Sequence, residues 1–499
     1  MSIKNLASQT LWYGLSNILG RFLNYFLSIL LVYYYSPNAT APVQQVYAII
    51  PFLNIVFTLG LETSYFRFSN QLDENKLYKV LSTFLLLSSL TLIGILYFFD
   101  FYFIPWMEME RNPTFYYLIL AIVFVDTLCA LPFVRLRQEG RPKRFAIIKF
   151  LSIVCNVFFV VLYLIIFPRM IAKGISIPIW IYNPSFGIGY YIVANLISSF
   201  LSWVLLYPEW KQFRFQFDFT LLKQIMTYSF PILIVGFGGM INDFLSRIVY
   251  YKVLPDSVDQ LDHEFGVFAA NYKLAVLATI FIQVFKMGAE PFFFKQAKAA
   301  NAQETYARVM KIFVVICCLI FLGIAMNLDI LILLISSGHQ AYAEGKNIIP
   351  ILTLANIFLG IYYNLAVWYK LKDQTMKGAI ITFAGVLITI VLNVILIPKF
   401  HYVGASWATF SCYAFMMVVS YFWGQKHYFI PYDVKRCVFY LGLSIGLFLL
   451  SSSIQEHFNW HHWLYSISSF IISLAIFLYA VIRFDKSEVR ALPVIGKYI

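Results

Sequence analysis

Apolar stretches recur along the whole chain, and each is long enough to cross a bilayer, since a membrane-spanning helix needs about 20 residues. Fourteen such stretches can be marked, and they are continuous rather than alternating with a period of two. This continuity indicates helices and argues against a transmembrane β-barrel. In approximate numbers the stretches are 10–34, 44–66, 78–99, 114–136, 144–167, 187–207, 229–250, 266–289, 309–328, 346–371, 376–397, 402–423, 434–453 and 462–483. The sequence therefore predicts an all-α polytopic membrane protein with about 14 transmembrane helices.

The amino-acid composition agrees with lipid as the solvent of this chain. Of the 499 residues, 61% are hydrophobic and only 12% are charged. Soluble domains average about 45–50% apolar and about 25% charged residues. A water-soluble core could not bury this much apolar surface, and the low charge excludes intrinsic disorder.

The net charge of +13 is distributed unevenly between alternate loops. If the N-terminus is cytoplasmic, 27 of the 37 Lys and Arg residues lie in cytoplasmic segments and six in outer segments. This positive-inside bias predicts that both termini are cytoplasmic and that the basic loops face anionic membrane lipid. A charge placed in this way does not indicate nucleic acid as a partner.

Two sequence motifs occur twice, in the same order. Gly60–Arg67 and Gly288–Lys295 share the pattern Gly-x-Glu-x-x-aromatic-Phe-basic, 228 residues apart. Arg144–Phe150 and Lys377–Phe383 both begin an apolar stretch, 233 residues apart. Because six helices separate the copies, both units insert with the same orientation, as in transporters built from parallel repeats.

These repeats predict the domain organisation. We expect an N-terminal lobe of six helices over residues 1–207, followed by a cytoplasmic linker at 208–225. A C-terminal lobe with helices seven to twelve follows at 226–425. Two additional helices and a cytoplasmic tail complete the chain at 426–499.

Several segments resemble those of a known transporter family. They are Gly60–Phe68, Arg137–Ala146, Pro231–Arg247, Ala289–Phe294, Trp368–Leu371, Leu396–Pro398 and Gly404–Ala408. Over about residues 5–430 the chain resembles the polysaccharide and O-antigen flippases of the multidrug/oligosaccharidyl-lipid/polysaccharide exporter superfamily, of the Bacteroidetes type. The resemblance implies two six-helix lobes around a central cavity that opens alternately to the two faces of the bacterial inner membrane. It also implies a polyprenyl-diphosphate-linked oligosaccharide, such as an O-antigen unit, as the cargo.

Basic residues inside the predicted spans are the candidate substrate-binding residues. A charged side chain at the centre of a bilayer costs about 2.5–3.5 kcal/mol on insertion scales, so it faces a partner or a wet cavity. Arg21, Arg247 and Lys273 are such residues. A guanidinium group binds phosphate oxygens in a bidentate manner, which suits a diphosphate. The alternative is that these cations form structural ion pairs.

Four acids and one further lysine are candidates either for ion coupling or for structural ion pairs. Asp243 lies one turn before Arg247, and Glu290 lies one turn after Lys286. Asp126 is isolated in the fourth span, and Glu62 lies near the inner end of the second. An isolated buried carboxyl group can carry a proton. The sequence leaves H⁺ and Na⁺ open as the coupling ion.

The sequence favours neither an enzyme nor a cofactor-binding protein. The six cysteines lie in or at the ends of spans without metal-ligand spacing, so we expect no metal and no cofactor. We find no Walker A motif and no serine-nucleophile elbow. A membrane glycan polymerase or ligase would carry catalytic residues in a large outer loop, whereas the longest one, about 168–186, has only Arg169 and Lys173 as charges.

An ion-coupled drug or metabolite antiporter of the same superfamily is the alternative function. Such an antiporter would use acids to bind cationic cargo, and the spans hold four basic and four acidic residues. This balance of charges favours an anionic cargo, because two of the four acids, Asp243 and Glu290, can pair locally with a basic residue. Since two lobes already form a pathway, we expect a functional monomer.

Overall fold

The computed structural model describes residues 26–486 apart from 28, 70–71, 256, 298, 337–338, 373, 459 and 461–462. Regular structure in this part of the chain is helical throughout, and the described residues form no strand. Eleven of the described helices are long and apolar enough to cross a membrane. The all-α polytopic fold predicted from the sequence is therefore confirmed.

The helices follow one another with short connections. The first are α1 (Pro37–Thr58), α2 (Leu61–Phe68), α3 (Glu74–Phe98), α4 (Asp100–Trp106), α5 (Pro113–Gln138), α6 (Pro142–Val161), α7 (Phe167–Ala172), α8 (Tyr190–Leu205) and α9 (Tyr207–Trp210). The others are α10 (Phe219–Val253), α11 (Val258–Gln296), α12 (Ala302–Ala325), α13 (Leu328–Ser336), α14 (Ile348–Leu365), α15 (Val367–Leu371), α16 (Thr375–His427), α17 (Val434–Phe458) and α18 (Trp463–Phe484). A π-helical turn, Leu162–Ile166, joins α6 to α7, and 3₁₀ turns cover Pro184–Gly189 and Gln340–Gly345.

The observed helices correspond to the predicted spans almost one to one. The eleven membrane-length helices cover twelve of the fourteen predicted stretches, because α16 contains two of them on either side of His401. Helix α10 covers the seventh stretch. The first stretch lies for the most part outside the described residues.

Helix boundaries follow local rules of sequence. Proline occupies the first turn of α1, α5 and α6, where the missing N–H group has no cost. Asp218 caps α10 by accepting a hydrogen bond from the Leu221 backbone N–H at 3.0 Å. That bond, together with the neighbouring Lys76 ammonium group, lowers the pKa of the Asp218 carboxyl group.

One repeated motif adopts two different backbone conformations. In the first copy, Leu59 and Gly60 have φ angles of 52° and 68°, and this left-handed turn separates α1 from α2. In the second copy, Gly288 lies inside the uninterrupted helix α11. The two copies of the motif therefore differ in structure. The same sequence pattern interrupts the helix in the first copy and lies within a continuous helix in the second.

A second pair of breaks is structurally similar in the two repeats. Gly187 precedes the sixth span with φ 48° and ψ −122°. His401 precedes the twelfth span with φ 50° and ψ −134°. Glycine adopts this conformation easily, whereas it is strained for histidine. The His401 ring is held by Glu264 of α11, with 2.9 Å between Nδ1 and Oε2.

The chain divides into two compact units. The first comprises the chain up to Ala269 together with Thr389–His401, and the second comprises Ala270–Ile388 and the chain from Tyr402 onward. The core of the first unit is built from apolar side chains of α1, α5 and α8, and that of the second from α12, α14 and the terminal helices. The lobe and linker boundaries at 207, 225 and 425 stay a prediction.

Polar contacts attach the terminal pair, α17 and α18, to the rest of the second unit. Near one end of the pair, Lys311 of α12 lies 2.8 Å from Asp485 and 3.5 Å from Asp433. Near the other end, Asp329 of α13 accepts hydrogen bonds from Gln455 at 2.6 Å and from Ser466 at 3.3 Å. The added helices are thus held at both ends.

Candidate functional site

Of the three predicted substrate-binding cations, the structure describes the side chain of Lys273 only. Arg21 lies outside the described residues. Arg247 lies on α10, but its side chain, like those of Asp243 and Glu290, is outside the described part of the chain. Lys273 lies on α11 and is half-buried. Their assembly into one site stays a prediction.

A buried asparagine two residues before Lys273 fixes the position of α11 at this level. Asn271 is fully buried and donates a hydrogen bond from Nδ2 to the backbone oxygen of Tyr342 at 2.8 Å. This bond anchors α11 to the 3₁₀ turn Gln340–Gly345. Lys273 follows two residues later, about 200° around the helix, and therefore projects from a different face of α11.

Glu62 forms an ion pair near the inner end of the predicted second span. Its Oε2 atom lies 3.1 Å from Nη2 of Arg137, and the Arg137 guanidinium group also lies 5.0 Å from the centre of the Phe66 ring. Both charged side chains are partly exposed. The contact joins α2 to the C-terminal end of α5.

Asp126 belongs to a polar cluster inside the first unit. Its carboxyl group on α5 faces the side chains of Asn54 on α1 and Ser199 on α8, and it experiences the charge of Lys149. The Oδ1 atom of Asn54 is buried and makes no hydrogen bond. Carboxylate, amide and hydroxyl oxygens can hold a proton or a small cation.

Four arginines at and next to the loop between α5 and α6 form ion pairs with carboxylates. Glu209 is only 3% exposed, and it accepts contacts from Arg141 at 3.2 Å and Arg144 at 3.0 Å. Arg135 pairs with Glu139 at 2.8 Å. Arg141 and Arg144 therefore join the loop and the start of α6 to α9. Sequence reasoning missed the role of Glu209, because 65 or more residues separate it from both arginines.

A pocket lies within the second unit, between α11 on one side and α14 and α15 on the other. Its cavity volume is about 20 Å³, which is room for about one water molecule. Lys286 and Lys370 line it together with Tyr363 and Asn364. The Lys286 ammonium group lies 4.0 Å from the centre of the Tyr363 ring, which is a cation–π contact.

The pocket brings together residues that the sequence did not connect. Lys286 was expected to pair with Glu290 or to serve coupling, and Lys370 and Asn364 were not predicted as site residues. The spacing of Asn364, Val367 and Lys370 places them along one face of α14 and α15, which is the signal that could have found them. Nothing in the sequence indicates that this face meets Lys286 of α11.

Among the described residues, no group of three or more His, Cys, Asp or Glu side chains could hold a metal ion. The arrangement that the structure does describe is that of a polytopic helical protein with cations and buried amides inside its membrane-spanning region. These features define a multi-pass membrane protein, and comparisons with known proteins give the family.

A family model described as polysaccharide biosynthesis protein matches residues 6–297, which is more than half of the chain. The chain belongs to this family. No curated protein sequence matches it.

Solved structures share the fold. The lipid II flippase MurJ, in an inward closed conformation, matches with a TM-score of 0.74 at 15% identity, covering 94% of this chain and 98% of that protein. A multidrug resistance MATE family transporter of the MOP superfamily, in an inward-facing conformation, matches with a TM-score of 0.65 at 14% identity, covering 82% and 94%. A MATE transporter of Vibrio cholerae matches with a TM-score of 0.55 at 14% identity, covering 85% and 96%. At these identities the likeness concerns the fold alone.

Proposed function

We propose that this protein is a flippase that moves a polyprenyl-diphosphate-linked oligosaccharide, such as an O-antigen or related surface polysaccharide unit, across the bacterial inner membrane. The observation that carries the proposal is membership of the polysaccharide biosynthesis family. The fold shared with a lipid II flippase supports it, because that protein also handles a lipid. The protein acts as a transporter and not as an enzyme.

The proposed cargo accounts for the basic residues in the predicted spans. Arg21, Arg247 and Lys273 would hold the diphosphate while the glycan occupies a hydrophilic cavity and the prenyl chain stays in lipid. Charge-assisted hydrogen bonds to phosphate are strong, so a small number of cations suffices. Binding must remain moderate, since release on the outer face would otherwise limit turnover.

Alternating access is the proposed mechanism, with the two repeated lobes moving against each other around the cargo. The polar cluster around Asp126 would supply the site for H⁺ or Na⁺, because its carboxyl group faces the side chains of Asn54 and Ser199 in addition to the charge of Lys149. The variant Asp126→Asn removes the ionisable carboxyl group and keeps its shape. It should therefore abolish ion coupling and leave cargo binding intact. We propose that a monomer carries out the cycle, with both termini in the cytoplasm.

Deletion of the gene followed by sidedness labelling of the lipid-linked oligosaccharide tests the proposed function. We expect the oligosaccharide to accumulate in the inner leaflet of the deletion strain and to return to the outer leaflet on complementation. Outer-leaflet labelling at the normal rate in the deletion strain would exclude the proposed flippase.

A drug or metabolite antiporter is the second candidate, supported by the fold shared with MATE transporters. An efflux assay discriminates between the two. A flippase leaves resistance to cationic drugs unchanged when it is deleted or overproduced, whereas an antiporter alters it. The cations that the predicted spans carry at Arg21, Arg247 and Lys273 suit an anionic cargo, which supports the flippase.

A further inference from the structure

The segment that joins α9 to α10 carries a phenylalanine at every second position. Residues 211–219 read Lys-Gln-Phe-Arg-Phe-Gln-Phe-Asp-Phe, so positions 213, 215, 217 and 219 are aromatic. This period of two is that of an extended chain, in which alternate side chains point to opposite sides. Residues 213–218 belong to no helix, and Asp218 has extended backbone angles, with φ −138° and ψ 100°.

Two contacts hold this segment against α3. The backbone N–H of Gln216 donates a hydrogen bond to Oγ1 of Thr83 at 3.1 Å, and Thr83 is fully buried. The carboxylate of Asp218 lies 2.7 Å from the ammonium group of Lys76, which also belongs to α3. The segment therefore follows the surface of the helix instead of extending away from the protein.

Three of the four phenylalanines point away from the protein. Phe215 is 66% exposed, Phe217 56% and Phe219 69%, whereas the intervening Gln216 and Asp218 are half-buried. Apolar side chains grouped in this way are unfavourable in water, and exposed apolar patches mark surfaces that face a membrane or another molecule. We call Phe215, Phe217 and Phe219 the phenylalanine row.

The contact with Thr83 gives the depth of the phenylalanine row. Thr83 lies five residues inside the predicted third span, which begins at about residue 78. At 1.5 Å per residue this is about 8 Å from the end of the apolar stretch. Amphipathic segments at a membrane surface bury their apolar face about 5–10 Å into the boundary between headgroups and acyl chains. The row therefore lies at the level of this boundary.

The charges next to the row match an anionic membrane surface. Residues 211–223 contain three basic residues, Lys211, Arg214 and Lys223, and all three are exposed. The only acid in this stretch is Asp218, which already forms an ion pair. The positive-inside bias predicts that the segment is cytoplasmic, and anionic lipid attracts basic residues next to a membrane surface.

We propose that the phenylalanine row inserts into the cytoplasmic leaflet, with Lys211 and Arg214 against the phosphate groups of anionic lipid. The occupant of this surface is lipid and not a protein. The segment joins the sixth predicted span to the seventh, so its insertion holds the inner ends of both spans at the membrane surface. The inference goes beyond the proposed function, because it involves no cargo and holds for any transported substrate.

Spin labelling of the full-length protein in nanodiscs of phosphatidylcholine and phosphatidylglycerol tests the insertion. A nitroxide is attached to Phe217→Cys, and the signal of the protein without the added cysteine is subtracted. We expect the label to collide more often with oxygen, which concentrates in lipid, than with a water-soluble nickel complex. Because the Phe217 side chain is exposed, its replacement removes little packing and should leave the fold intact.

Gln212→Cys is the matched control, since Gln212 is exposed in the same segment but lies outside the phenylalanine row. At this position we expect the nickel complex to collide more often than oxygen. Labels at 215 and 219 should behave like the label at 217. Equal exposure to the nickel complex at positions 212 and 217 would show that the row faces water, and this would overturn the proposal.

Lipid composition tests the role of the basic residues. With phosphatidylglycerol present, the double variant Lys211→Gln/Arg214→Gln should hold the label at 217 less deeply than the protein with both cations, whereas in pure phosphatidylcholine the two depths should agree. Lys143→Gln removes an exposed cation from the start of α6 and should leave the depth unchanged. An equal shift in Lys143→Gln, or no shift in the double variant, would overturn the contact with anionic headgroups.

A comparison of nanodiscs with native membranes distinguishes lipid from a protein partner. A membrane-impermeant maleimide is applied to Phe217→Cys in nanodiscs of the purified protein and in inverted native membrane vesicles, and the labelled protein is then isolated. Equal protection in the two preparations supports lipid as the occupant. Protection that occurs only in the native membranes would show that another protein covers the phenylalanine row, and the proposal would be wrong.

Discussion

At the scale of single residues, the chain has charged and amide side chains at positions where burial in apolar surroundings is energetically unfavourable. Arg21 and Lys273 lie in predicted spans, where an unpaired charge would oppose insertion. Asn364 keeps a buried donor without a partner. The sequence could indicate the first two because a cation in an apolar stretch is visible by itself. It could not indicate Asn364, whose meaning depends on a pocket formed by distant helices.

Arg21 is the residue whose loss should affect transport most. We expect Arg21→Ala to abolish complementation of a deletion strain at normal protein level, because the diphosphate loses its bidentate partner. Arg21→Lys should restore part of the activity, since it keeps the charge but not the fork of donors. Full activity of Arg21→Ala in the same strain would remove this residue from the substrate site.

His401 should reveal backbone strain through a pair of variants. His401→Ala keeps the left-handed conformation but loses the contact with Glu264, so we expect a lower thermal midpoint in detergent. His401→Gly loses the same contact but removes a strain of about 1–3 kcal/mol, so it should be more stable than His401→Ala.

The structurally similar break in the other repeat supplies the control for His401. Gly187 has the same conformation, and a Cβ atom added there would meet open space, so Gly187→Ala should be destabilising through its backbone alone. An alanine at 401 that is as stable as a glycine would show that the conformation at this position is not strained.

At the scale of secondary-structure elements, sequence reasoning succeeded where the signal was local. Continuous apolar runs predicted helices such as α5 and α8, and the gap between the predicted stretches 376–397 and 402–423 contains the interruption observed at His401. The bend at Gly60 and the continuous helix at Gly288 could not be distinguished, because the two copies share their motif.

The α5–α6 loop depends on one buried carboxylate. Glu209→Gln should destabilise the protein by about 2 kcal/mol, because Arg144 loses its carboxylate partner and Arg141 keeps only Glu139, and the partial exposure of the two arginines reduces the cost of breaking a fully buried pair. Thermal unfolding in detergent measures this change. Lys76→Gln breaks the more exposed pair with Asp218 and should hardly shift the midpoint. Equal shifts in both variants would contradict the structural role of Glu209.

At the scale of the whole molecule, composition was sufficient to predict a polytopic membrane protein, whereas the orientation derived from the charge distribution stays a prediction. Hydropathy and the positive-inside bias are averages over many residues, so single errors do not change them. The pairing of helices into two units and the grouping of Lys286 with Lys370 depend on contacts between residues far apart in sequence. Identifying the cargo requires the positions of a few cationic side chains, which averages over the sequence do not give.

Reconstitution tests the central claim, transport of a lipid-linked oligosaccharide, most directly. The purified protein is placed in liposomes with a fluorescent polyprenyl-diphosphate oligosaccharide on both leaflets, and a membrane-impermeant reductant quenches the label from outside. We predict that quenching proceeds to near completion in proteoliposomes but stops at the outer leaflet in protein-free vesicles, and that Arg21→Ala behaves like the vesicles without protein. Quenching that stops at the outer leaflet with the unmodified protein would contradict the account.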